Sequence, residues 1–149
     1  MKQPSGYGFL IDKTLKKLQS IYLHAFKDNG VDLTIEQWVI LHRIYELGDE
    51  ASQTEITKTN YRNRATTSRV ISGLVKKELL IKGRFKGDSK RFKLTITAKG
   101  HKIIAIVEPI MYHLRAVGVM DINQKEYDNF ISVLDKIWNN CESYQQSTY

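Results

Sequence analysis

The sequence predicts a mainly α-helical fold with one small β-hairpin. Apolar residues recur at helical spacing in five separate stretches, and a sixth, short one is marked by its cap and a single apolar anchor. Polar capping pairs three residues apart mark where several of those stretches begin. One short stretch, Arg91 to Ile96, alternates basic or polar with apolar residues instead, the pattern of a half-buried strand.

The first helix is predicted over Phe9 to Phe26, with Leu10, Ile11, Leu15, Leu18, Ile21, Tyr22, Ala25 and Phe26 on its apolar face. Asp12, Lys13, Lys16 and Lys17 fill the other face, and Asn29-Gly30 supplies a left-handed stop. A second helix starts at Thr34, where Gln37 completes a capping box. Its expected apolar face is Trp38, Val39, Leu41, Ile44 and Leu47, and Gly48 ends it. Ser52, with Glu55 as its box partner, caps a short third helix anchored by Ile56. The next turn is expected at Asn60-Tyr61. A fourth helix runs from about Asn63 to Glu78 with Val70, Ile71, Leu74 and Val75 inward.

Leu79-Leu80-Ile81 leads into a strand over Ile81 to Phe85, and Lys86 to Lys90 is a turn by composition. The return strand carries Phe92, Leu94 and Ile96 on one side and Arg91, Lys93 and Thr95 on the other, so one face of the hairpin should be buried. Thr97 caps a long fifth helix bearing Ile103, Ile104, Ile106, Val107, Ile110, Met111, Leu114 and Val117, with a kink expected at Pro109. Asn123 and Glu126 open a sixth helix through Cys141, carrying Tyr127, Phe130, Ile131, Leu134, Ile137 and Trp138. Gln145 to Tyr149 are expected to fray.

With 149 residues, 42% of them hydrophobic, the chain reads as a single domain, 1–149, large enough for a core of its own. One cysteine excludes an internal disulfide framework and fits a reducing compartment. No basic segment followed by an apolar run opens the sequence, and no wholly apolar run approaches the roughly 18 residues that span a bilayer. The expectation is a cytoplasmic protein that makes no use of the membrane.

Charge is the strongest functional signal. Between Ser52 and Lys102 there are 14 Lys+Arg against 3 Asp+Glu, a local balance of +11, whereas the whole chain is only +7. The rest of the chain is therefore net acidic, and the positive charge is confined to one third of the sequence. Such clustering is the footprint of a phosphate-binding surface.

Helix, turn, helix and hairpin in that order make the winged-helix plan, in which the second helix of the pair enters a major groove and the hairpin reaches the backbone or adjacent minor groove. Residues 34–96 are expected to form this lobe. The candidate DNA contacts are Ser52, Gln53 and Thr54 at the third helix, and Asn63, Arg64, Thr66, Thr67, Ser68 and Arg69 at the start of the fourth. Arg84, Lys86, Lys90 and Arg91 are the candidates on the wing. Arginine can grip guanine bidentately, and short hydroxyl side chains can bond phosphates or base edges.

Four stretches resemble the MarR family of bacterial transcription regulators. They are Leu33-Thr34-Ile35-Glu36-Gln37-Trp38, Gln53-Thr54-Glu55-Ile56, the run Ala65 to Leu80, and Asp88-Ser89-Lys90 followed by Ile96-Thr97-Ala98-Lys99-Gly100. The last pair is similar to the family's wing signature Asp-x-Arg and Leu-Thr-x-x-Gly. The sequence departs from it at Lys90, which stands where the family has arginine, with Arg91 next to it. Lysine is a point charge rather than a planar fork. Thr67 sits where an aliphatic residue is usual, and Gly73 where a charged one is common. By the resemblance, Asp88 orients a neighbouring base; by composition alone, it forms the turn.

The stretches 7–30 and 98–142 have no obvious covering partner in a winged-helix core, and their long apolar stripes are expected to pair two copies. A two-fold dimer sets its recognition helices roughly 34 Å apart and predicts a near-palindromic operator. The expected partners are thus double-stranded DNA and a second copy of the chain, the function a DNA-binding repressor. The resemblance also implies a small-molecule effector in a cleft that Tyr22, Trp38, His42, Tyr45 and Tyr112 could line. Aromatic residues at helical spacing are equally the stuff of a core.

Other readings have less support in the residues. A zinc- or other metal-responsive regulator of the same fold would use His24, His42, Glu108 and His113, yet no two histidines have a three- or four-residue helical spacing. No metal or other cofactor is expected. Cys141 reads as a small buried hydrophobe rather than a redox sensor. A winged helix used for protein docking should expose apolar area rather than a +11 patch. No enzyme is expected, because the four histidines are scattered and none sits in a phosphate loop or nucleophile elbow.

Overall fold

A computed structural model describes residues 6–59 and 63–148. The expected Asn60-Tyr61 turn lies outside the described residues. The helices are α1 (Tyr7–Asp28), α2 (Ile35–Leu47), α3 (Gln53–Thr59), α4 (Arg64–Lys76), α5 (Ala98–Gly118) and α6 (Gln124–Thr148), with a 3₁₀ turn at Gly48–Glu50. Strands β1 (Leu80–Phe85) and β2 (Asp88–Ile96) form the antiparallel hairpin. The chain divides into two compact units, one ending at Met111 and the other starting at Tyr112.

The first unit holds the core. Phe26 ends α1 inside it, and Gly30 reverses the chain at φ 68° so that the Val31 amide donates to the Phe26 carbonyl at 2.8 Å. That closure carries Val31 and Leu33 into the core behind Phe26. The Thr34–Gln37 box then starts α2, with both reciprocal bonds formed. α2 touches α1, α3, α4 and β2. It therefore buries a wider arc than a one-sided helix: Trp38, Ile40, Leu41 and Ile44 are all buried. Val39, expected to face inward, is 52% exposed instead, and Ile40 takes its place in the core.

α4 buries Thr67, Ile71 and Leu74, and its C-terminus is closed by Glu78 in the left-handed region at φ 61°. The Leu79 amide reaches back to the Leu74 carbonyl, and the Glu78 amide to that of Val75. This reversal aims Leu79 and Leu80 into the core as β1 begins. The hairpin is longer than the alternation predicts. β2 starts at Asp88, and only Lys86-Gly87 form the turn, with Gly87 at φ 80°. Arg84 pairs with Phe92 and Phe85 with Asp88, so residues 89–91 bulge from the ladder. Leu94 is the fully buried hairpin residue; Phe92 and Ile96 are only half-buried. A tie invisible in the local pattern anchors the hairpin: the Leu94 amide donates to the Ala51 carbonyl at 3.0 Å, and Ser52 bridges to Lys93.

The second unit contains the end of α5, the connection and α6. α5 continues through Pro109 as one helix. Asn123 and Glu126 form a reciprocal capping box with two 3.0 Å bonds. α6 extends past Cys141, and Gln145 to Ser147, expected to fray, are helical. Cys141 is exposed rather than buried. None of residues 112–147 is buried.

Candidate nucleic-acid interface

α3, the start of α4 and the bulged end of β2 enclose a cavity of about 260 Å³ lined by Gln53, Thr54, Thr57, Lys58, Arg64, Lys90 and Phe92. Each lining cation comes from a different element. α3 brings Lys58 one turn after Thr54, the Asn63 cap starts α4 so that Arg64 is its first residue, and the wing supplies Lys90. Sequence reasoning selected Gln53, Thr54, Arg64 and Lys90 but missed Thr57, Lys58 and Phe92. The helical step from Thr54 to Lys58 was a readable signal.

The exposed face of α4 follows from its buried one. With Thr67, Ile71 and Leu74 turned inward, the positions about 180° away are Ala65, Arg69, Ser72 and Lys76, and all four are exposed. Arg69 therefore lies at the centre of the outward stripe. Arg64 lies about 140° round the helix from it. Ser72 and Lys76 complete a stripe that the N-terminal cluster of candidates did not include. Thr66 and Ser68 are half-buried at its sides.

Two candidates prove to be interior. Thr67 is 0% exposed, and its hydroxyl donates to the Asn63 carbonyl at 3.1 Å. Ser52 is 1% exposed, and its hydroxyl accepts from the Glu55 amide at 3.1 Å. Neither can reach a duplex without unfolding its helix, and both are corrections to the expected contact set. Asn63 is exposed, but its Oδ1 accepts from the Thr66 amide at 2.8 Å, so that oxygen is committed to capping α4.

At the wing, Asp88 Oδ1 accepts from the amides of Lys90 at 2.9 Å and Arg91 at 3.2 Å. The carboxylate thus satisfies amides that the bulge withdraws from the ladder, which is the turn-forming role. Lys90 faces the cavity, whereas the Arg91 guanidinium lies 4.7 Å from the Phe85 ring centroid. Arg84 and Lys82 stand over the Phe92 ring at 3.7 and 3.9 Å. Lys86, in the turn itself, is exposed.

Internal ion pairs sort the cations of the basic window. Lys77 pairs with Asp32, Lys93 with Asp49 and Lys99 with Glu78, so these three serve the scaffold. Among the described residues no carboxylate lies within ion-pair distance of Lys58, Arg64, Arg69, Lys76, Lys82, Arg84, Lys86, Lys90 or Arg91. Of the described cations of the window without such a partner, all but Lys102 on α5 are therefore on α3, α4 and the wing.

The residues considered for an effector cleft divide differently. Trp38 is a core residue, 2% exposed, with its ring edge-on to Phe26 at 6.4 Å. Tyr22 packs against the same core. His42 and Tyr45 continue along α2, and His42 Nε2 lies 3.2 Å from Glu108 on α5. Tyr112 belongs to the second unit and is 79% exposed. His24 meets the Ser20 carbonyl of its own helix. Among the described residues no three His, Cys, Asp or Glu side chains are grouped so as to hold a metal ion. No described helix is long and apolar enough to cross a membrane.

Residues 33–92 match the model of the MarR family. The fold is shared with solved structures along nearly the whole chain. A Listeria monocytogenes protein assigned to that family and solved with a 26mer DNA is 26% identical, with a TM-score of 0.77 over 94% of this chain and 89% of its own. The S. aureus MepR–DNA complex is 20% identical, with a TM-score of 0.83 over 90% of this chain and 97% of its own. Bordetella bronchiseptica BpsR, whose DNA binding is regulated by 6-hydroxynicotinic acid, is 20% identical, with a TM-score of 0.77 over 92% and 96%.

Proposed function

We propose that this chain, whose residues 33–92 match the model of the MarR family, regulates transcription as a homodimeric repressor on a near-palindromic double-stranded operator, released by a small ligand. The observation that carries the reading is the clustering of charge: nine described cations without an acidic partner among the described residues, Lys58, Arg64, Arg69, Lys76, Lys82, Arg84, Lys86, Lys90 and Arg91, lie on α3, on α4 and on the wing. α4 enters the major groove with Arg69 and Ser72 toward base edges, while Arg64, Lys58 and the wing cations bind phosphates. Relatives of the same fold are solved on DNA, and one is controlled by a small aromatic acid, which supports the ligand part of the reading.

The homodimer rests on uncovered apolar surface. α1 leaves Phe9, Leu10, Ile11 and Leu15 exposed, and the second unit leaves Tyr127, Phe130, Ile131 and Val133 exposed. Apolar surface on this scale marks an association site, and a second copy of the chain covers it through a closed two-fold contact.

Selection of bound fragments from the source genome, followed by fluorescence anisotropy on the recovered and on random duplexes at two salt concentrations, tests the reading. The expected result is a symmetric motif and an affinity that falls with salt at a log–log slope of about −0.9 per phosphate contact. Affinity that ignores salt and fragments without a shared motif would overturn it in favour of a protein-docking module.

A further inference from the structure

We propose that Phe92 is a positioning residue of the wing, whose ring holds Lys82 and Arg84 ready for the phosphates of a DNA backbone. The inference rests on the DNA-binding reading above and adds to it Phe92, a residue that reading does not use.

Phe92 sits directly across the ladder from Arg84. Arg84 Cζ is 3.7 Å and Lys82 Nζ 3.9 Å from its ring centroid, so the two charges lie less than about 8 Å apart. Two like charges that close repel each other, and no described carboxylate stands within ion-pair distance of either. The negative face of the ring offsets part of that repulsion in the free protein. The same ring lines the cavity that holds Lys58, Arg64 and Lys90. Phe92 is thus where the cations of the wing meet those of α3 and α4.

Burial alone does not account for an aromatic residue here. Leu94, two residues on, is 1% exposed and fills the core, whereas Phe92 is half-buried and outside the buried cluster. Long basic side chains lose rotamer freedom when they bind, and a side chain already stacked loses less. The aromatic ring on β2 gives the Lys82 and Arg84 side chains of β1 that advantage. The Phe85 ring is a looser counterpart, with Arg91 at 4.7 Å and Lys93 at 5.7 Å, and Lys93 is already paired with Asp49.

The test is a double-mutant cycle read by anisotropy on a labelled random-sequence duplex at low salt, using the full chain. F92L is expected to weaken binding about 3- to 10-fold and F92Y by less than about 2-fold, since tyrosine keeps the ring. R84A is expected to weaken the wild type by about 3-fold or more but the F92L background by less than about 2-fold. F92L binding like the wild type, F92Y as weak as F92L, or an R84A effect equal in both backgrounds would each overturn the proposal. A measurement without variants covers loss of folding in F92L. In the free wild type, NMR should show the Lys82 ε-methylene and Arg84 δ-methylene protons moved upfield by the ring current, and unshifted protons overturn the stacking. A wild type that does not bind duplex overturns the DNA-binding reading itself, and this positioning role with it. A wild type that binds while the cycle is additive overturns only the role of Phe92.

Discussion

Gly100 lies against the backbone carbonyl of Leu79: a Cβ at this position would overlap that oxygen and come within 2.7 Å of Ile96 Cγ2. The same carbonyl accepts the Thr97 amide at 3.1 Å, and the Thr97 hydroxyl donates to the Glu78 carbonyl at 2.7 Å while accepting from the Gly100 amide at 3.0 Å. The exit of α4 and the start of α5 are thus locked face to face, at the base of the wing. The Ile-Thr-x-x-Gly run has this packing as its physical cause.

Gly100→Ala should therefore destabilise the protein by about 1–3 kcal/mol, because backbone rather than a flexible side chain must give way. Gly73→Ala is the control. Its Cβ would meet only the mobile end of Gln37, at 2.9 Å. The helix gains about 1 kcal/mol from alanine, while Gln37 must shift from its bonds to Thr34 and Lys77. The net change should stay within about 1 kcal/mol of zero. Thermal unfolding of both variants checks the pair, and a Gly100→Ala melt equal to wild type would refute the lock.

Thr67→Val should leave duplex affinity within about 2-fold of wild type, because residue 67 faces the core. Arg69→Ala, on the outward stripe, should cost about 1–3 kcal/mol on the selected operator and less on random duplex. Anisotropy titrations on both duplexes decide. Equal losses on the two would make Arg69 a phosphate contact, and a large loss for Thr67→Val would return that side chain to the interface.

Lys90→Ala should lower affinity on all sequences and flatten the salt slope by about one phosphate contact's worth, about 0.9. Arg91→Ala should do so less, since its guanidinium is drawn to Phe85 while Lys90 shares a cavity with Arg64 and Lys58. The check is the slope of log affinity against log salt for each variant. The reverse order would make Arg91 the wing's principal contact.

Phe130→Glu and Leu15→Glu should each break or weaken the homodimer, since both positions lie on exposed apolar faces and would place a charge in the contact. Sedimentation at micromolar concentration should show the wild type at twice the chain mass and the variants shifted toward the monomer. Duplex affinity should fall with dimerisation, because two linked heads raise effective concentration. A monomeric wild type would remove the dimer from the proposal.

The start of most helices was legible because capping is local. Thr34 with Gln37 and Asn123 with Glu126 form their boxes within four residues of chain, and no distant partner is needed. The concentration of charge was equally legible, since it is a property of composition. The helical step that pairs Thr54 with Lys58 was readable too, though unused.

Tertiary structure decided which polar residues were interior. A threonine on a basic helix reads as a DNA contact until the opposite side of that helix is seen to pack on the core, as Thr67 does. Ser52 went the same way: it is 1% exposed, and its backbone bridges to Lys93, distant in sequence. The bulge at 89–91, the ring–cation contacts of Phe92 and the tie from Leu94 to Ala51 also join residues whose pairing depends on register or on remote segments. The sequence by itself determined the elements, their order and the sign of the surface, because these arise from interactions a few residues long. Which side chains of those elements meet solvent was left to the fold, because burial is set by whatever distant segment arrives on top.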